Sequence, residues 1–240
     1  MPDDVEEVTH PEGTSSSDAT SSSPILIVVM GVSGCGKSTL GSGIAEALHL
    51  PFIDADDIHP PANRAKMTAG IPLTDADRAP WLVKVRDEAG RIVREGLAPH
   101  KDGSEEDKQA GRGRGVVVAC SALKKSYREV LRGDRVLLEE DHQTHEENDH
   151  PHPAPPALRT FFVHPHGARD LLLERMHKRK DHFMKASMLD SQLQTLEDPL
   201  EGEGGKPEAG TIRIPLELSM EEQVKMTVDK LKEFNVETAA

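Results

Sequence analysis

Apolar residues gather in short unbroken runs, and between those runs they recur every three or four positions. Residues 25–30 read ILIVVM and residues 116–120 read VVVAC. A run without polar alternation suits a strand covered on both faces rather than one facing water. Shorter runs of the same kind stand at 160–163, at 212–215 and at Phe52-Ile53, the last finishing at Asp54. The stretches between them change period. Leu40, Ile44, Ala47 and Leu48 predict a helix that Pro51 ends. Thr74 with Asp77 opens a further helix signal, and Pro80 fits the first turn of the longer piece running to Gly96. Leu172 and Met176 share one face of a helix between Gly167 and Arg179. Ser219 and Glu222 form a capping-box pattern ahead of Val224, Val228 and Leu231. Strand and helix alternate, which predicts an α/β domain of three layers around a parallel five-stranded sheet. Ligands of such sheets bind at the C-terminal ends of the strands.

Three segments break the alternation. Residues 1–23 are acidic and Ser-rich, residues 98–114 mix Gly with charge, and residues 139–157 are acidic, His-rich and then Pro-rich. Too little apolar surface is available in any of them to offset the entropy of ordering. They are read as a disordered tail on one domain, 24–235, and as two insertions within it. The formal charge of −13 follows the same division. Six acids with no Lys or Arg lie in 1–23 and six more between Glu139 and Pro153, so these twelve account for all but one of the net charge. A nearly neutral folded part with seven aromatics argues against nucleic acid as a partner. No apolar run reaches the ~20 residues of a membrane span, and the N-terminus lacks the pattern of a signal peptide. Two cysteines, Cys35 and Cys120, suit a reducing, cytoplasmic setting, and a homodimer is compatible with these bounds. The histidines of the acidic insertion (His142, His145, His150, His152) lack the rigid spacing of a metal site.

Chemistry enters at residues 31–38, GVSGCGKS, which match G-x-x-x-x-G-K-[ST] between a buried strand and an amphipathic helix. Backbone N–H groups of Gly31, Val32, Ser33, Gly34, Cys35 and Gly36, with the helix start through Thr39, are expected to cradle phosphates. Lys37 would reach the β- and γ-phosphates and the Ser38 hydroxyl would hold Mg²⁺, so the chain is expected to bind a nucleoside triphosphate, ATP. No Asn-Lys-x-Asp guanine signature is present, and the third strand ends in Ala119-Cys120-Ser121 instead of an Asp. Acids cluster after the second strand at Asp54, Asp56 and Asp57, where a small-molecule kinase faces its acceptor. A carboxylate there can take the proton of an attacking hydroxyl or hold Mg²⁺ through water, and helix capping competes for the same residues. Asp56 is assigned to the acceptor and Asp54 to the metal, with the reverse left open.

The run DADDIHPPAN at 54–63, Lys66-Met67, GIPLTD at 70–75 and Asp77-Arg78 before Pro80-Trp81 resemble the thermoresistant gluconokinases. CSALKKSYR at 120–128 is similar to a second block of that family, and Arg175, RKDHF at 179–183, LDSQ at 189–192 and Thr195-Leu-Glu197 to a third. The resemblance implies a P-loop kinase fold with a mobile lid, Asp181 to Gln192, and transfer of the γ-phosphoryl of ATP to the 6-hydroxyl of D-gluconate. Gluconate needs a cation for its carboxylate and polar groups for its hydroxyls. Within the blocks, Arg78, Lys124 and Arg128 are the candidate cations, and Asp56 and His59 the candidate hydroxyl partners. Arg175 and Arg179, four apart and so on one helical face, are expected to act with Lys37 and Asp56 in catalysis by neutralising the transferring phosphoryl. A kinase of the same fold acting on another hydroxy acid is the nearest rival, and a nucleotide-binding module without catalysis the more distant one.

Overall fold

The computed structural model describes residues 23–97, 114–134, 157–178 and 186–236. Five parallel strands form one sheet in the order β2-β3-β1-β4-β5: β1 (Ile25–Val29), β2 (Phe52–Asp54), β3 (Gly115–Ala119), β4 (Arg159–His166) and β5 (Thr211–Pro215). The central strand shows why its sequence carries no polar alternation. Leu26, Val28 and Met30 enter a core with Trp81, Leu82, Val85, Val116, Val118 and Phe162 on one face. Ile25, Ile27 and Val29 enter a second core with Leu40, Ile44, Val117, Phe161, Ile214 and Leu231 on the other. At about 1.5–3 kcal/mol per fully buried aliphatic side chain, this two-sided burial fixes β1 at the centre.

Helices cover both faces. On one lie α1 (Lys37–Leu48) and α7 (Met220–Glu233), on the other α3 (Asp75–Leu97) and α4 (Lys125–Arg132). Short α2 (Pro61–Thr68), α5 (Arg169–Lys178) and α6 (Ala186–Thr195) complete the set. Helix α1 lies so close to the sheet that a Cβ on Gly41 would come within 2.6 Å of the Phe52 ring. At α7, Ser219 and Glu222 form both hydrogen bonds of the expected capping box.

Helix α3 departs from expectation. It is one helix from Asp75, with Pro80 inside it. Thr74 and Asp77 bond each other reciprocally at its start, Thr74 N–H reaching Asp77 Oδ2 at 2.9 Å and Asp77 N–H reaching Thr74 Oγ1 at 3.2 Å. Pro80 follows only one turn later, so its missing N–H forfeits a single bond near an end already capped. Helices α2, α4 and α6 and the 3₁₀ turn Ala55–Ile58 lie where the apolar pattern gave no element.

The register aligns Gly115, Ile25 and Arg159 across one edge of the sheet. Arg114 O accepts from Ile25 N–H, and Pro24 O accepts from Arg159 N–H, each at 2.9 Å. The chain thus enters β1, β3 and β4 side by side at this edge. The opposite edge, where β1, β2 and β3 end, carries the phosphate-binding loop and Asp54. The tail, both insertions apart from their border residues, and the four histidines at 142–152 fall outside the described residues.

Candidate active site

The glycines of the loop do what the motif requires. Gly34 and Gly36 hold φ of 84° and 87°, the left-handed region that residues with a Cβ rarely adopt. A Cβ on Gly34 would also stand 2.7 Å from the Met176 side chain, so α5 presses directly on the loop. Val32 and Cys35 belong to a third small core with Leu123, Leu172, Met176, Leu189 and Leu216, which packs the loop between α5, α6 and the segment after β3. Gly36 caps α1, leaving the backbone N–H groups of its first turn directed at the cleft. Lys37 Nζ donates to Val32 O at 3.2 Å, folding the ammonium back over the loop. Ser38 and Thr39 are exposed at the start of α1.

Strand β2 delivers Asp54 beside the loop, and its carboxylate is used twice. Ser38 Oγ donates to Asp54 Oδ2 at 2.6 Å, and Asp56 N–H donates to Asp54 Oδ1 at 3.1 Å. Asp54 is therefore both the cap of the 3₁₀ turn and the neighbour of the loop serine. Asp56 projects from that turn with its carboxylate open to the cleft. Surrounding protein, then the adjacent Asp54, raise its pKa above the ordinary aspartate value, and Lys37 and His59 offset part of the rise. Asp57 is exposed.

His59 lies beneath Asp56, not in the open cleft. It is buried, its Nε2 stands 3.8 Å from Asp56 Oδ1, and its ring stacks on Trp81 at 4.0 Å between centroids. Trp81 is fixed in turn by its indole N–H, 2.9 Å from Ala55 O. Burial lowers the His59 pKa, so the imidazole is neutral near pH 7. The geometry brings it to Asp56 as a support.

Further along the same wall, Asp75 at the start of α3 accepts from Lys124 Nζ at 2.6 Å and from the Tyr127 hydroxyl. These two bonds hold its pKa low. Arg78 stands over the Tyr127 ring at 5.8 Å and donates to Leu73 O at 2.6 Å. Two of the three expected cations, Arg78 and Lys124, thus meet around Tyr127.

Arg128 does not join them. Its side chain is wholly buried and ion-paired to Glu208 at 2.6 Å. Its Nη1 donates to Ala122 O and Leu123 O at 3.0 and 3.1 Å. In this structure the guanidinium faces Glu208 and two backbone carbonyls, and it is not brought together with Arg78 and Lys124. Its place is to hold the segment leading to Lys124, where Ala122 takes the uncommon φ of 43°.

Arg175 lies against the loop: Nη1 is 4.0 Å from the Cβ position of Gly36, and Nη2 donates to Leu216 O at 2.5 Å. Arg179 and residues 181–185 of the expected lid fall outside the described residues. The remainder of that lid is α6, whose Leu189 is fully buried and whose Asp190 pairs with Arg169 at 2.6 Å.

Known proteins are similar to this sequence over most of its length. A gluconokinase of Gluconobacter oxydans is 43% identical over 176 residues, covering 73% of this chain and 77% of that protein. The thermoresistant gluconokinase of Escherichia coli is 31% identical over 207 residues, 86% of this chain and 93% of that protein. The chain belongs to the gluconokinase family. The crystal structure of a gluconokinase from Sinorhizobium meliloti superposes with a TM-score of 0.62 at 39% identity, covering 88% of this chain and 94% of that one. A shikimate kinase family model matches residues 33–75, the stretch from the loop through β2 to Asp75. That stretch begins inside the loop, at Ser33, and includes the acidic turn.

Three site residues escaped the sequence reading as functional groups. Asp75 and Tyr127 were visible only as members of resembling blocks. Gln192 of α6 reaches the loop, where its Oε1 accepts from Ser33 N–H at 2.6 Å, so this N–H, expected to face a phosphate, is held by a side chain in this structure. The signal for it was available: Leu189, Gln192, Leu193 and Leu196 recur at helical spacing, which puts Gln192 on the edge of an inward face.

Proposed function

We propose that this chain transfers the γ-phosphoryl group of ATP to the 6-hydroxyl of D-gluconate, giving 6-phospho-D-gluconate and ADP. The observation that carries the reading is a polar wall with Ser38, Asp54 and Asp56 at one end and Arg78, Tyr127 and Lys124 at the other, His59 lying buried beneath it. One end of that wall offers a carboxylate beside the phosphate loop, the other offers cations. D-Gluconate has the matching polarity, with a primary alcohol at one end and a carboxylate at the other.

In this reading the gluconate carboxylate is held by Arg78 and Lys124, and the chain of hydroxyls lies along the wall. The 6-hydroxyl oxygen attacks the γ-phosphorus, the β–γ bridging oxygen leaves with ADP, and the hydroxyl proton passes to Asp56. Transfer goes through a loose transition state, so the base acts late and positioning contributes most. Lys37 and Arg175 place positive charge on the transferring group, and Arg179 is assigned the same role from its sequence position.

The donor set fits Mg²⁺. Ser38 Oγ and Asp54 Oδ2 are hard oxygen ligands lying together at the loop edge, and Mg²⁺ prefers one or two such protein groups with phosphates and water completing its shell. Ser38 would hold the ion and Asp54 its water shell. Bound there, it neutralises charge on the β- and γ-oxygens. No helix among the described residues is long and apolar enough to cross a membrane, and we assign the enzyme to the cytoplasm.

The test is ADP release measured with a panel of aldonic and cyclic hydroxy acids, shikimate included. Turnover is expected with gluconate and at least ~10²-fold less with acids lacking a terminal primary alcohol. Equal turnover across the panel, or ATP binding without turnover on any acid, overturns the assignment.

A further inference from the structure

The peptide group between Val32 and Ser33 is held at both ends. Its carbonyl oxygen accepts from Lys37 Nζ at 3.2 Å, and its N–H donates to Gln192 Oε1 at 2.6 Å. Lys37 is the residue that reaches the β- and γ-phosphates, so the peptide it folds onto marks the terminal-phosphate end of the cradle. Gln192 is therefore brought to that end from outside the loop. It is carried on a helix anchored by Leu189 in the core, by the Arg169–Asp190 ion pair, and by Glu197, which accepts from Lys125 N–H at 2.5 Å.

The orientation of the carboxamide is decided by chemistry. A backbone N–H only donates, so Ser33 must face the oxygen of Gln192, and the amide NH₂ is turned the other way. That NH₂ makes no hydrogen bond to any described residue. Two donors without a partner among the described residues thus stand beside the loop, on a carboxamide whose oxygen is already fixed. A group oriented before the substrate arrives needs no reorganisation to stabilise its charge.

We infer that Gln192 is a binding residue for the terminal phosphoryl group of the nucleotide: Ser33 N–H fixes its oxygen, and its NH₂ donates to a γ-phosphoryl oxygen. ADP, lacking that group, makes no use of it. The inference rests on the reading of the chain as an ATP-dependent kinase, and it adds a determinant that distinguishes triphosphate from diphosphate.

Removal of the carboxamide, Gln192→Ala, separates binding from mere docking of α6, and Gln192→Glu adds charge repulsion to the loss of the donors. Gln192→Glu keeps an oxygen for Ser33 N–H but replaces the NH₂ donors by a negative charge. Binding of ADP and of a non-hydrolysable ATP analogue, each with Mg²⁺ and without gluconate, is measured by calorimetry for wild type, Gln192→Glu and Gln192→Ala. The analogue-to-ADP affinity ratio is expected to fall at least ~10-fold in Gln192→Glu and ~3–10-fold in Gln192→Ala, scales for a charged and a neutral partner lost. If Gln192 only docks the helix, Gln192→Ala keeps the wild-type ratio, and that result overturns the inference. So does an equal loss of both nucleotides in the two variants. Wild-type turnover on gluconate is read separately, so a failed acceptor assignment leaves the nucleotide ratio interpretable.

Discussion

Asp56 combines two properties that pull against each other. Its carboxylate is proposed to accept a proton, and the protein around it and the adjacent Asp54 raise its pKa. Its folded pKa lies above the ordinary 3.8, so the folded state binds the proton more tightly than the unfolded chain does. This contribution favours the fold at low pH and is lost as pH rises through the folded pKa. Asp56→Asn removes the charge and keeps the shape. Turnover on gluconate is expected to fall ~10²–10⁴-fold, the range for losing general-base assistance. The acid limb of the wild-type rate profile should sit above pH 3.8 and disappear from the residual activity of the variant. The melting temperature at pH 7 should be no lower than that of wild type. Near-normal turnover, or a loss traced wholly to Mg²⁺ affinity, would move the base to Asp54.

At the scale of elements, the Arg128 cluster ties three pieces of chain together. Glu208, on the approach to β5, pairs with Arg128 and Arg132 of α4, and Arg128 holds two carbonyls of the segment after β3. Burial alone would raise the Glu208 pKa, but the two arginines keep it below the ordinary value. Glu208→Ala leaves the Arg128 charge buried without its partner, and a loss of about 3–5 kcal/mol in unfolding free energy is expected by denaturant titration. The same elements show what the sequence could convey. Five strands and the helices α1, α5 and α7 were legible because their apolar spacing states their burial. The pairing of Arg128 was not legible, because a cation near a strand end looks alike whether it faces a ligand or an acid 80 positions away. Helices α2, α4 and α6 were missed for a related reason. Helix α2 buries only Asn63 and α6 only Leu189, and α4 spans just eight residues with a charged arginine among the four it buries. The loop, Asp54 and Asp56 were legible because a motif fixes the backbone around them.

For the whole molecule, the sheet has two functionally unequal edges. Deleting residues 1–22 removes chain that joins the fold at Ser23, next to the entry of β1. Turnover on gluconate within twofold of wild type and a melting temperature within ~2 °C are expected, as for terminal segments outside the packed core. A larger fall in either would place the tail against the domain. The side-by-side entry of β1, β3 and β4 has a wider consequence. The tail and both insertions are spliced in where Pro24, Arg114 and Arg159 are neighbours through hydrogen bonds. Lengthening the chain at these joints leaves the pairing of Pro24, Ile25, Arg114 and Arg159 in place. The fold therefore has a growing pole and a working pole. Over generations, sequence can be added, lost or recharged at the first while the second keeps its chemistry.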